Sequence, residues 1–529
     1  MLLSIILSVF GAFSVGVLLW KYGRHVPREM RFPPGPAPLP LLGNLHQMPL
    51  SNLSLQFQRW AQQYGPIVGL KLGFQHFILL NEPKVIRELI EKRGNIHSGR
   101  PDLFLREFGG NRNFILRDND HTWRRQRKMY HKRLNVNIVD QYLPFQLMES
   151  THLLKDMLDL PVHFPRHIQR YSTSLSSIMF YGWRTNSVDE GYARELVKWL
   201  EATAANAAPH PVDFFPLLRL VLRFLPSCLS TYKRNMRDIK ATEEALFEDL
   251  MLNAERKIEQ GNQVPSFVRD MLLCPDDDRL DRTEIAYNAA HGFAAAMDTQ
   301  WNTLLGFVKA MILFPHVQEE AQREIELVVG SKRLPTWKDR PSLPYVHGVV
   351  EETLRWMPTL IVAFPHRAMQ SDQYEGFHIP KGSSMVINVT ALNNLVERPR
   401  EFDPTRYTPE YLASDLNAVN PDSTKRMHFT YGAGRRVCPG SHAAARGLFL
   451  AISRMLWAFR FSRGRDQDGN MVPIDPDAIT EGFLAKPVSY PCLIQPRDEH
   501  RARLIRDAWA NVQSSLGAEG DILNVEGFE

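Results

Sequence analysis

Cysteine is scarce in this chain. Four occur in 529 residues (Cys228, Cys274, Cys438 and Cys492), and no two form a C-x-x-C pair. That spacing excludes a disulfide-stapled scaffold, a zinc ribbon and a dithiol redox motif, and it favours a reducing compartment. Charge of one sign is scarce too. Against 63 basic residues stand 58 acidic ones, for a net charge of +5, without the concentrated basic stripe that grips nucleic acid. No repeat, low-complexity tract or interior linker divides the chain, and no segment reads as a flavin or nicotinamide domain. Any electrons the protein uses must therefore come from another molecule. Long charge-free runs are missing as well, with one exception.

That exception is Leu2 to Trp20, 19 residues without a charge. As a helix it spans about the ~30 Å of a bilayer's hydrocarbon layer. Lys21, Arg24, Arg28 and Arg31 follow it, against one acid, Glu29. Positive charge after the run predicts a retained single-pass anchor with the rest of the chain on the cytoplasmic side. A cleaved signal would carry its charge before the run and end in small residues. Five prolines then fall within Pro33–Pro40, which favours an extended, stiff spacer. The predicted division is an anchor at 1–20, a basic stop and spacer at 21–40, one catalytic domain at 41–496 and a tail of unassigned role at 497–529.

Within the body, residues 51–63 and 83–92 carry helical periodicity, and Ile67–Leu80 alternates around Gly73 as a hairpin. Residues 100–120 read as a long loop. Helical patterns dominate from Thr122 to Phe314, including a charged helix near 234–260 and a 32-residue one over Thr283–Phe314 that Pro315 stops. Strand-like pieces recur near 360–390 and 483–495. The expected class is mainly α with small β-sheets.

Cys438 lies in Phe429-Thr430-Tyr431-Gly432-Ala433-Gly434-Arg435-Arg436-Val437-Cys438-Pro439-Gly440, which fits F-x-x-G-x-G-x-R-x-C-x-G throughout. Such a loop presents one thiolate to a haem iron. Its glycines let the backbone approach a flat macrocycle, and Arg436 offers a fork of donors to a haem carboxylate. A thiolate ligand favours O–O cleavage.

Further motifs stand in order around it. Glu352-Thr353-Leu354-Arg355 puts an acid and a base on one helix face. Trp123 and Arg127 share a face at i, i+4. Asp298-Thr299 sits among apolar neighbours on the long helix. With Phe402-Asp403-Pro404-Thr405-Arg406, these residues resemble the cytochrome P450 family over roughly residues 33–496. The resemblance implies that fold behind a transmembrane helix, and a haem b with Cys438 as iron ligand. Trp123, Arg127, Arg367, Phe429, Gly434 and Arg436 would contact the haem, with His366 a weaker candidate. Glu352, Arg355 and Arg406 would lock the cysteine loop. Asp298 and Thr299 would relay protons to oxygen, although Ala296 and Gln300 replace the family's usual Gly and Thr or Ser.

Substrate-facing positions, by the same resemblance, are Phe114, Ile115, Phe293, Met297, Ile361, Val362, Phe364, Phe483 and Leu484. They are apolar, so a lipophilic small molecule is expected. The implied activity is a monooxygenase of the endoplasmic reticulum membrane, in the style of fungal microsomal members that hydroxylate, epoxidise, desaturate or couple secondary metabolites. Its partners would be O2 and an NADPH-dependent cytochrome reductase, with cytochrome b5 as a second donor, and no nucleic acid. The basic run Arg124, Arg125, Arg127, Lys128, Lys132 and Arg133 would steer the reductase. Rival readings are a haem-thiolate isomerase or dehydratase that needs no reductase, and a membrane-tethered scaffold without cofactor.

Overall fold

A computed structural model describes residues 31–49, 51–109, 112–206, 210–273, 280–414, 417–465, 468–480, 484–517 and 520–522. The run Leu2–Trp20 and Phe483 lie outside the described residues. Among those described, no helix is long and apolar enough to cross a membrane.

Gly73, at φ +57°, turns the predicted hairpin. Its strands are β1 (Ile67–Leu72) and β2 (Gln75–Leu80), paired antiparallel from Ile67↔Leu80 to Leu72↔Gln75. Two later strands, β3 (His366–Arg367) and β6 (Ser384–Ile387), complete a four-stranded sheet in the order β1-β2-β6-β3, with β2 and β6 parallel. Between them, β4 (Asp372–Tyr374) and β5 (Phe377–Ile379) form one small ribbon, and β7 (Phe459–Arg463) with β8 (Cys492–Pro496) forms another. The proline-rich stretch is held against the sheet, where Gly69 N–H donates to Pro34 O at 2.8 Å, and Arg31 just before it accepts from His378 N–H of β5 at 2.8 Å. Extended proline backbone offers free carbonyls to a strand edge, so the stretch docks there.

The longer helices are α1 (Leu53–Tyr64), α2 (His121–Leu134), α3 (Leu143–Asp159), α4 (Phe164–Tyr181), α5 (Gly191–Asn206), α6 (Thr231–Glu259), α7 (Arg282–Leu313), α8 (Pro315–Val328), α9 (Pro344–Trp356), α10 (Ser441–Ala458) and α11 (Glu499–Gln513). α7 is the predicted 32-residue helix. Asp281 starts it by accepting from Glu284 N–H at 2.7 Å, while the Glu284 carboxylate accepts from Asp281 N–H at 3.1 Å, a reciprocal cap with an N-cap contribution of about 1 kcal/mol. α7 crosses the molecule in contact with α4. Gly292 permits that approach, since a Cβ there would lie 2.2 Å from the Phe180 ring.

Pro315 does more than end α7, because it opens α8 at the first turn, where a missing N–H costs nothing. The tail also joins the body. Trp509 and Val512 of α11 are buried in one core cluster and Ile505 in another, and the Trp509 ring stacks on His152 of α3 at 4.0 Å.

Candidate active site

The cysteine loop leaves β-like backbone at Ala433, makes one tight turn over Gly434–Arg436 and enters α10. Cys438 N–H donates to Tyr431 O at 2.9 Å, and Gly432 N–H to Phe429 O at 2.8 Å. Gly432 and Gly434 have φ of +69° and +62°, a region that penalises a Cβ. At Gly434 a Cβ would also lie 2.5 Å from Ile90 O, whereas at Gly432 the nearest atom is 4.0 Å away. The Cys438 sulfur lies near the backbone N–H groups of Gly440 and Ser441 at the start of α10. Burial pushes the thiol up, while those donors and Arg127 pull it toward the thiolate.

Behind the loop, Glu352 and Arg355 of α9 are fully buried. Arg355 grips the carboxylate twice, Nε to Oε2 at 2.7 Å and Nη2 to Oε1 at 2.8 Å. Glu352 also accepts from Asp403 N–H at 3.0 Å, Tyr407 O–H at 3.2 Å and, more loosely, Arg406 Nε at 3.4 Å. Spare donors reach outward: Arg355 Nη1 donates to Asn393 O at 3.0 Å. The Asn393 carboxamide in turn accepts from Phe429 N–H at 2.8 Å. One continuous network therefore links the buried ion pair to the first residue of the cysteine motif.

A second group of basic residues meets one large cavity. Arg100, Trp123, Arg127, His366, Arg436 and Cys438 all line it. Arg436 lies 3.9 Å above the Trp123 ring and donates to Ser98 O at 3.1 Å and Arg117 O at 2.7 Å. Arg100 donates to Ile115 O at 2.7 Å, Phe364 O at 2.8 Å and Pro365 O at 2.9 Å. Among the described residues, no carboxylate is paired with Arg100, Arg127 or Arg436. Burial pushes Arg436 down to about 8, helped by repulsion from Arg100 and Arg127, and burial pushes Arg100 down to about 9. The Trp123 indole Nε1–H is buried without an acceptor. Unpaired cations, one buried and two half-buried, and an orphan donor around one cavity call for an anionic guest. A haem, with two carboxylates and an iron to meet Cys438, fits that donor set.

Three of the expected haem contacts, Arg367, Phe429 and Gly434, are absent from the cavity wall, and Arg367 bonds Asp118 Oδ2 at 2.7 Å. On β3 neighbouring side chains face opposite ways, so His366, its neighbour, lines the cavity instead. Arg100 escaped the sequence reading. Its only signal was an arginine beside Pro101 at the start of the long loop.

α7 walls the far side with a stripe: His291 and Gly292, Ala295 and Ala296, Thr299 and Gln300, then Thr303. Steps of four keep one helix face toward the cavity. Thr299 Oγ1–H donates to Ala295 O at 2.7 Å. Asp298 is off this face. Its carboxyl is raised by burial, against the pull of Lys486 and Asn302. Phe293 and Met297 face the core, with Phe293 edge-on to Tyr181 at 5.8 Å. Phe114, Ile115 and Phe364 line the cavity, whereas Ile361, Val362 and Leu484 do not, and Leu360 and Ala363 do. Ile361 has its carbonyl tied to Thr390 N–H at 3.1 Å, and Val362 packs on the α1 side of the sheet.

The basic helix α2 is divided in its loyalties. Arg127 faces the cavity, Arg125 pairs with Glu284 at 2.5 Å, Arg133 with Asp270 at 3.5 Å, and Arg124 donates to Asn119 at 3.0 Å.

Comparison with known proteins agrees with this geometry. A family model described as Cytochrome P450 matches residues 33–491. The cytochrome P450 monooxygenase virE of Hypocrea virens is 39% identical over 518 residues, covering 96% of this chain and 93% of its own. The cytochrome P450 monooxygenase fogE of Aspergillus ruber is 37% identical over 515 residues, covering 95% and 94%. Among solved structures, a zebra fish cytochrome P450 with progesterone superposes with a TM-score of 0.68 at 21% identity, over 84% of this chain and 99% of that one.

Proposed function

Because this chain belongs to the cytochrome P450 family, we propose that it is a membrane-anchored monooxygenase that oxidises a lipophilic secondary-metabolite intermediate. The observation that carries this reading is the single cavity shared by Cys438, the unpaired arginines and the Thr299 stripe. When bound, haem b with a Cys438 thiolate supplies O2 activation and transfer of one oxygen atom to a C–H or C=C bond. Cys438 would be the iron ligand, and Arg100, Arg127, Arg436 and Trp123 would hold the carboxylates. Thr299 holds a proton at Oγ1, directed at Ala295 O. It can turn that proton into the cavity by rotation about one bond. Asp298, one residue away and kept more easily protonated by burial, is a proton reserve behind the wall. The apolar side chains of Phe114, Ile115 and Phe364 exclude water and receive the substrate.

The anchor in this reading is Leu2–Trp20 in the endoplasmic reticulum membrane, with the catalytic body on the cytoplasmic side. Electrons come from an NADPH-dependent reductase. The test is reconstitution. Purified protein should give a red-shifted Soret band for its reduced carbon monoxide complex, lost in Cys438→Ala, and product should require both reductase and NADPH. Turnover without reductase would favour an isomerase or dehydratase instead.

A further inference from the structure

The tail beyond residue 496 lies outside the residues that match the family, yet its described part reaches from one side of the molecule to another. At its root Arg497 and the buried Arg501 pair with Glu326 of α8, Arg497 at 3.3 Å. The Arg501 guanidinium also lies 5.2 Å from the centre of the Trp457 ring of α10, the helix that follows Cys438. Midway, the buried Trp509 ring of α11 stacks on His152 of α3 and lies 5.8 Å from the Arg184 guanidinium. Farther on, Arg184 Nη1 donates to Gly520 O at 3.4 Å, and Asp521 pairs with Lys257 Nζ of α6 at 2.9 Å. Gly520 fits there because it has no side chain: its φ is +79°, and a Cβ would lie 2.6 Å from Asn186 Nδ2. Arg184, which meets the tail twice, is itself bound to buried Glu149 at 2.6 Å, so the tail is fastened to the scaffold.

Under the end of α6 the interior is not filled. A cavity of about 520 Å³ lies among Phe145 of α3, Gly182, the turn at 260–265 and the tail residues Asp521 and Ile522. Close-packed interiors hold few such voids, and groups beside one lose the contacts that would fix them. The end of α6 therefore has room to shift. Two ties restrain it: the Lys257–Asp521 pair, and the bond from Asn262 Nδ2 to Gly182 O at 2.9 Å. Its other stretch bears on the Cys438 cavity. Phe247 of α6 meets His291, the first residue of the α7 stripe, edge-on at 5.2 Å, and Lys240 donates to the Tyr287 hydroxyl at 2.5 Å.

We propose that the tail is a brace that holds the end of α6 in place, and that loosening it lets α6 ease away from α7 and speeds release of the cavity's guest. The brace is rooted in α8 and α10, on the side of the cysteine loop, and acts at the far end of the helix that backs the stripe. Trp509 is its main hold, since it is buried and stacked, whereas an exposed ion pair such as Lys257–Asp521 holds weakly. Trp509 is a positioning residue, for it is not among those that line the cavity.

The test uses full-length holoprotein, with amide hydrogen exchange read by mass spectrometry and the release of phenylimidazole, a ligand of haem iron, read from the Soret band. In Trp509→Ala, exchange over residues 250–262 should quicken about tenfold or more, while exchange over α10 stays within about twofold. Phenylimidazole should leave about threefold faster. Trp509→Phe, which keeps a stacking ring, should restore most of both. If Trp509→Ala yields no haem protein, Lys257→Gln and Gly520→Ala should quicken the same segment to a smaller extent. Exchange over 250–262 that is unchanged in all these variants overturns the brace. So does exchange that quickens equally along the whole chain, the mark of a general loss of stability. Faster exchange in α6 with unaltered release of phenylimidazole overturns its bearing on the cavity. The release arm rests on the haem reading of the Cys438 cavity. If phenylimidazole moves no band in the wild type, that reading fails, and exchange alone decides whether the tail braces α6.

Discussion

Two sets of arginines, removed wholly or largely from solvent, differ in what they hold. Arg355 is fully buried and bound to Glu352 through two bonds. Arg170 and Arg184 likewise share buried Glu149, each at 2.6 Å. Burial alone would raise the Glu149 carboxyl, yet Arg184 and Arg170 hold it down at about 2. Arg100 is buried and Arg127 and Arg436 are half-buried beside the cavity with no such acid, and burial, followed by repulsion from Arg100 and Arg127, lowers Arg436. A paired arginine is part of the scaffold and is satisfied when the chain folds. An unpaired cluster is satisfied only by something the chain itself does not encode.

The contrast can be broken by experiment. Glu352→Ala should be the most damaging change, at about 3–5 kcal/mol, because it strands Arg355 without a counter-charge; urea unfolding measures it. Glu149→Gln should cost about 3 kcal/mol, the size of the shift from 4.5 to about 2. The sign follows from linkage. A depressed carboxyl stabilises fully above its unfolded value near 4.5, and that contribution drains away as pH falls toward 2. The wild type should therefore lose stability across that window with a slope that Glu149→Gln lacks.

Arg127→Leu and Arg436→Leu should behave in the opposite manner. Haem retention should fall about tenfold or more, while apoprotein stability stays within about 1 kcal/mol, since a half-buried charge without a counter-charge has been removed. If these variants unfold as readily as Glu352→Ala, the two sets are not different in kind. In stability the loop glycines should fall between the two sets. Gly432→Ala should cost about 1–2 kcal/mol for its backbone conformation. Gly434→Ala should cost more, because its Cβ would also meet Ile90 O.

Features governed by neighbours in sequence were legible beforehand. The end of α7 followed from Pro315, the hairpin from Gly73, and the cysteine loop from its glycines. The family resemblance was carried by those same local motifs. Which face of α7 meets the cavity was not legible, since the helix is buried nearly all round and has no polar face to betray its orientation. That is why Phe293 and Met297 were expected at the cavity and Ala295 and His291 were not. Arg367 and His366 differ by one residue, and only the pairing of β3 with β6 decides which of them faces inward. Arg100 reaches the cavity from a loop without periodicity, so nothing local could have flagged it.

The stripe on α7 has one more consequence. Steps of four residues advance about 400°, so each rung is turned about 40° from the last. From His291 to Thr303 the wall therefore rotates by about 120°. A guest lying along it meets a surface with a screw sense, and its two mirror-image forms cannot make the same contacts. Enantiomer selection is thus written into the pitch of one helix, before any single side chain is chosen.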